Sequence, residues 1–159
     1  MTRLLERGGR PTRPVPDEVP LVEPRRRDGR AVPLLRTAGA AAVLVVGAVH
    51  LEQYFGVHFM VVPVIGPLFL LNFVGATLIG VGLLLPGVRM RMLHLLLALG
   101  GIGLAATSFV FLFVSEHRPL FGFQDYGYRA PIVVALVAEA VAAVTLSAYL
   151  LLRGTRRMR

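Results

Sequence analysis

PVIGPLFLLNFVGATLIGVGLLLPG, residues 63–87, decides the fold class. Between Pro63 and Pro86 the polar side chains are Asn72 and Thr77 alone, and no charge interrupts the run. About 20 apolar residues, rising about 1.5 Å each, are what a helix needs to cross the hydrocarbon of a bilayer. Pro63 and Pro67 fall before or within the first turn, where a helix has no acceptor for an N–H in any case. Pro86-Gly87 then forces a tight turn. Arg89 and Arg91 follow at once, at the depth where an interface would be reached.

Working outward from this run, three more of similar length appear: about Leu34 to Tyr54, Met92 to Val114 and Pro131 to Leu152. With the second span at Val64 to Leu85, the chain reads as an all-α membrane protein, an antiparallel four-helix transmembrane bundle. Only the connections at 56–63 and 115–130 have room for structure of their own. Small residues recur at four-residue spacing: Ala76 with Gly80, Gly101 with Ala105, Ala138 with Ala142. Such pairs let helix backbones approach closely in lipid.

Composition agrees. Hydrophobic residues make up 55% of the 159 and charged residues 16%, and the mean hydropathy is +0.69. The net charge of +8 does not point to nucleic acid, because the basic residues flank apolar runs instead of forming an aromatic-interleaved face. Eleven arginines lie on one side: Arg25, Arg26, Arg27, Arg30, Arg36, Arg89, Arg91, Arg153, Arg156, Arg157 and Arg159. Arg118 and Arg129 lie on the other. The positive-inside rule then puts both termini in the cytoplasm. All 17 basic residues are arginine, which reads as the coding bias of a GC-rich, bacterial genome and hence a bacterial plasma membrane. Cysteine is absent, so thiol–disulfide chemistry, iron–sulfur clusters and thiolate metal sites are excluded within the chain.

Residues 1–33 carry six prolines and eight arginines. Such a segment buries too little apolar surface to offset its ordering entropy, and it reads as a disordered cytoplasmic tail. RRRDGR at 25–30 has the arginine pair of an export signal, but polar Asp28, Gly29 and Arg30 follow where apolar residues are needed. An anchor helix is the better reading. Arg25, Arg26, Arg27, Arg30 and Arg36 are expected to contact anionic lipid headgroups, at about 1 kcal/mol each near the surface. Residues 34–152 form the membrane domain and 153–159 a basic cytoplasmic C-terminus.

The depth of the polar residues is the most specific functional signal. His50 lies one turn in from the outer end of the first span. Asn72, Thr107 with Ser108, and Glu139 each lie about two turns from the outer end of theirs. Each helix thus brings a polar group to a similar depth, while the inner halves are nearly all apolar. Glu139 stands out, because a carboxylate at bilayer depth costs a few kcal/mol even on insertion scales. His50, Asn72, Ser108 and Glu139 are therefore expected to form an outward-facing polar pocket. On that view Glu139→Leu leaves polar partners unpaired and destabilises by about 1–3 kcal/mol.

Glu52, Tyr54 and His58 at and after the end of the first span, with Glu116 and His117 after the third, are expected at the rim. Imidazoles and carboxylates converging at one mouth suit zinc, copper or nickel, although no diagnostic ligand spacing such as HxxxH is present. Bis-histidine haem would need His58 or His117, on loops, to face His50. The expectation is no cofactor. His94 is expected at the cytoplasmic interface.

The stretch IGPLFLLN (65–72), following a histidine near the end of the first span, resembles a group of small four-span integral membrane proteins from high-GC Gram-positive bacteria. The similarity covers roughly residues 37–152. It implies a bacterial plasma membrane and a four-helix fold, with no assigned activity. The quinone-linked thiol oxidases, also four-span, are excluded by the missing cysteines. Small multidrug-resistance transporters carry their membrane glutamate in the first span, whereas here it is in the fourth. The expected role is an accessory or interaction protein, its partners being lipids, other membrane proteins or further copies of itself. The alternatives are an oligomeric proton-coupled transporter around Glu139 and an outward metal- or redox-cofactor-binding protein.

Overall fold

A computed structural model describes residues 28–86, 91–124 and 127–155. It contains four helices: α1 Asp28–Gly56, α2 Ile65–Leu84, α3 Arg91–His117 and α4 Ala130–Thr155, with a single 3-10 turn at Phe59–Val61. All four helices are long and apolar enough to cross a membrane, which makes the chain a multi-pass membrane protein. Among the described residues no strand forms, and Leu120 and Phe123 make an isolated bridge between α3 and α4.

The apolar runs predicted the helices to within a few residues, except at the start of α1. That helix begins at Asp28 and carries Pro33 inside it, so 28–33 is helix where the sequence suggested tail. Pro33 is the sixth residue of α1 and lies past the first turn, so it leaves the carbonyl four residues back without the N–H that would normally reach it. Its carbonyl is used a second time, accepting from Thr37 Oγ1 at 2.9 Å. At the other end α4 continues through Thr155. The tail up to residue 27, with Arg25, Arg26 and Arg27, lies outside the described residues, as do Arg89 and 156–159.

The α1 helix packs along α2 and α4, α3 packs on α4 and α2, and α1 and α3 sit on a diagonal. The core is built from small side chains with a few large ones. Ala40, Val43, Ala76, Ala98, Ala105, Ala142, Leu146 and Tyr149 are all buried. The residues of all the small-residue pairs seen in the sequence are buried. Ala76 and Gly80 are buried against α1, where a Cβ on Gly80 would stand 3.1 Å from the Ala40 carbonyl oxygen. Gly101 sits against Leu146 of α4 and Ile79 of α2. Large apolar side chains such as Leu78, Leu96 and Val144 point away from the bundle, as lipid contact requires.

His94, in the first turn of α3, is buried against the bundle, 3% exposed. Its Nε2 donates to the Leu85 carbonyl at 3.1 Å. That bond satisfies a carbonyl left over at the end of α2 and ties the α2–α3 turn to α3.

Gly66 shows why α2 opens as it does. The 3-10 turn crosses the start of α2 so closely that a Cβ on Gly66 would lie 2.6 Å from the Phe59 carbonyl oxygen and 3.1 Å from Met60 Cα. Both obstacles are backbone, so no rotamer change relieves them. Gly66→Ala is expected to lower stability by about 1–3 kcal/mol, the usual cost of overpacking, and to push Phe59 out of place. Thermal unfolding in detergent checks this, and an unchanged midpoint would show that the turn does not lie on the helix.

Candidate functional site

A cavity of about 420 Å³ lies between the four helices at the end of the bundle that carries the α1–α2 and α3–α4 connections. His50 and Gln53 of α1, Asn72 of α2, Thr107, Ser108 and Ser115 of α3, and Glu139 of α4 all face it. The remaining wall is apolar and aromatic, with Phe59, Phe69, Leu104 and Leu112 among the side chains.

The polar groups form a chain across the bundle. His50 Nδ1 lies 2.8 Å from the Val46 carbonyl oxygen. A carbonyl can only accept, so Nδ1 carries a proton. His50 Nε2 lies 3.2 Å from Ser108 Oγ, and the Ser108 side chain also hydrogen-bonds Glu139. Two proton arrangements satisfy this chain. In one, neutral Glu139 donates to Ser108, and Ser108 donates to Nε2. In the other, Nε2–H donates to Ser108, and Ser108 donates to ionised Glu139. Moving one proton from Glu139 through the hydroxyl to His50 interconverts them. In both, Glu139 Oε2 remains an acceptor without a protein partner among the described residues.

Two further acceptors in the cavity wall share that condition: Gln53 Oε1 and Asn72 Oδ1. The orientation of the Gln53 amide is fixed, because its Nε2 donates to Glu52. Gln53 and Glu139 are 4% and 3% exposed, so neither acceptor is open to bulk solvent.

The direction of the opening follows from which wall residues are exposed. Phe59, Leu120 and Phe123, supplied by the two connections, are buried or half-buried. Phe59 packs on Phe69 and Phe123 at centroid distances of 5.0 and 5.2 Å, and the Arg129 guanidinium lies 5.9 Å above its ring. Leu71 of α2 and Gly103, Thr107 and Phe111 of α3 are the exposed lining residues. The cavity therefore opens on the flank between α2 and α3, and aromatic side chains cover it at the connection end.

His50, Asn72, Ser108 and Glu139 thus share one cavity. Glu52, Tyr54, His58, Glu116 and His117 do not line it. Glu52 is exposed and accepts from Gln53, and Tyr54 stacks edge-on against Phe55. His58 is exposed with a left-handed backbone, φ 63°, ahead of the 3-10 turn. His117 is exposed, stacks on Phe113 and donates from Nδ1 to the Phe113 carbonyl at 2.8 Å. Glu116 is half-buried, with Oε1 unpartnered. Among the described residues no three His, Asp or Glu side chains converge in a way that could hold a metal. Gln53 and Ser115 are wall residues in addition to the four expected from the sequence. Gln53 carries a usable signal, since it lies three residues after His50 and so shares its helix face.

No family model matches the chain, and neither a curated protein nor a solved structure does.

Proposed function

We propose that this chain is a bacterial plasma-membrane protein with both termini cytoplasmic, serving as an accessory that holds a small amphipathic molecule instead of transforming it. One observation carries the binding reading: an apolar cavity that opens on the flank of the bundle and has polar groups from all four helices in its wall. Ligand sites are mostly apolar concavities with a few placed polar groups. A flank of α2 and α3 that faces hydrocarbon admits molecules already dissolved in the bilayer. The eleven-to-two arginine asymmetry supports the orientation, which puts the cavity in the outer leaflet. The resemblance of IGPLFLLN to four-span proteins of high-GC Gram-positive bacteria supports the membrane. Arg25, Arg26 and Arg27 ahead of α1, with Arg30 and Arg36 in its N-terminal part, would bind anionic headgroups at the inner face.

A second reading has the proton-exchanging chain of Glu139, Ser108 and His50 in its favour. It is a proton-coupled transporter, working as an oligomer because one four-helix unit encloses too little lumen for alternating access.

The chain has no cysteine, so single introduced cysteines report orientation directly. Phe121→Cys is expected to react with a membrane-impermeant maleimide on intact cells, and Gly154→Cys only after permeabilisation. Labelling of Gly154→Cys on intact cells would reverse the orientation. Binding is tested in phosphatidylcholine nanodiscs titrated with twelve-carbon amphiphiles. At least one is expected to raise the unfolding midpoint saturably, and Gly103→Phe to abolish the rise by filling the flank opening. No rise with an amine, an alcohol or an acid would remove the binding reading.

A further inference from the structure

We propose that the head of the bound amphiphile is a hydrogen-bond donor, specifically a primary ammonium, seated against Glu139, Asn72 and Gln53. This rests on the binding reading above and adds the chemistry of the ligand.

Donors and acceptors in the cavity wall are unequally paired. Three oxygen atoms in the cavity wall, Gln53 Oε1, Asn72 Oδ1 and Glu139 Oε2, are buried without a partner among the described residues. All three are acceptors. Buried polar atoms in native structures are nearly always satisfied, and one left over points to a group that completes it. Several donors in the same wall are already committed. His50 Nδ1–H goes to Val46, the Ser108 hydroxyl lies between His50 and Glu139, Ser115 donates to the Leu112 carbonyl at 2.8 Å, and Gln53 Nε2 donates to Glu52. The remaining donors, the Asn72 amide NH2 and the Thr107 hydroxyl, belong to a half-buried and an exposed residue, and the two most deeply buried acceptors, Gln53 Oε1 and Glu139 Oε2, are left unmatched. A carboxylate or phosphate head, which only accepts, would leave the Gln53 and Glu139 oxygens unmatched. A hydroxyl supplies one donor. An –NH₃⁺ supplies three and no acceptor.

Charge points the same way. His50 and Glu139 are the titratable groups in the wall, and His50 is turned to Val46 and Ser108, leaving Glu139 Oε2 with no cation. A buried carboxyl is stabilised by a paired cation far more than by a neutral partner. The apolar remainder of the cavity, with Phe59, Phe69, Leu104 and Leu112, takes the start of an alkyl chain, and the opening between Leu71 and Phe111 lets the rest lie in hydrocarbon.

The test uses the full-length protein in phosphatidylcholine nanodiscs, titrated separately with dodecylamine, dodecanol and dodecanoate. The probes share a chain and differ in the head, so partitioning into lipid is controlled by a parallel titration of empty discs. Dodecylamine is expected to bind at least tenfold more tightly than dodecanol, and dodecanoate not to bind. Glu139→Gln should fold normally and reduce dodecylamine affinity at least tenfold while changing dodecanol affinity less than threefold. Asn72→Leu should reduce dodecylamine affinity by a smaller factor, since it removes a neutral acceptor. Equal binding of the three probes, or an amine preference undiminished in Glu139→Gln, would overturn the ammonium assignment and leave the binding reading standing. Binding by none of them would overturn both.

Discussion

Glu139→Leu is expected to raise the stability of the protein by about 1–3 kcal/mol, and Glu139→Gln to change it by less than about 1 kcal/mol. The sign is opposite to the one the sequence suggests, and the hydrogen-bond geometry is the reason. Removing a buried polar group is expensive when it strands its partners. The partner here is Ser108, which keeps His50 Nε2 as a second one at 3.2 Å. Leucine therefore strands no donor. It also removes an oxygen that has no protein partner and a carboxyl that is costly at bilayer depth. The adjoining cavity gives the new side chain room. Unfolding of the three proteins in the same detergent is the measurement, and a leucine variant less stable than the parent would show that Glu139 holds the helices together. A stabilising Glu139→Leu would mark the glutamate as a group retained for binding at some cost in stability.

Gly80→Leu is expected to cost about 3 kcal/mol, the upper end of ordinary overpacking. A Cβ alone at this position would lie 2.5 Å from Leu44 Cγ and 3.1 Å from the Ala40 carbonyl oxygen. Leu44 can rotate away, but the α1 backbone cannot, so the two helices must separate along their most intimate contact. Gly103→Leu is the matched control. Nothing lies within 4 Å of a Cβ at Gly103, and its stability should stay within about 0.5 kcal/mol of the parent. Equal unfolding midpoints for the two variants would mean that α1 and α2 do not pack as described.

The two glycines look alike in the sequence. Each lies in an apolar run with small neighbours, and only the packing separates the one that touches a backbone from the one that faces open space. The same holds for the polar residues. That His50, Asn72, Ser108 and Glu139 lie at one depth could be read by counting residues from the span ends, because depth is set by a fixed rise per residue. Their convergence on one cavity depended on how each helix is turned about its axis. Glu52 and Gln53 make the contrast plain: they are adjacent in sequence and nearly equal in depth, yet one is exposed and the other is 4% exposed and faces the cavity.

The four spans, their connections, the depth of each polar group along its span and the small residues that allow close packing are legible from residue order alone. These follow from length, apolarity and residue size, all of which are local. Only the packed bundle shows which face of each helix turns inward, that acceptors of the wall are left unpartnered, and that the cavity opens between α2 and α3. In a soluble helix the hydrophobic stripe would have announced the inner face. Here the surroundings of the bundle are as apolar as its core, so no stripe marks it. The rotation of each helix is fixed instead by contacts such as Gly80 on Ala40 and Ser108 on His50, which exist only once the helices have met.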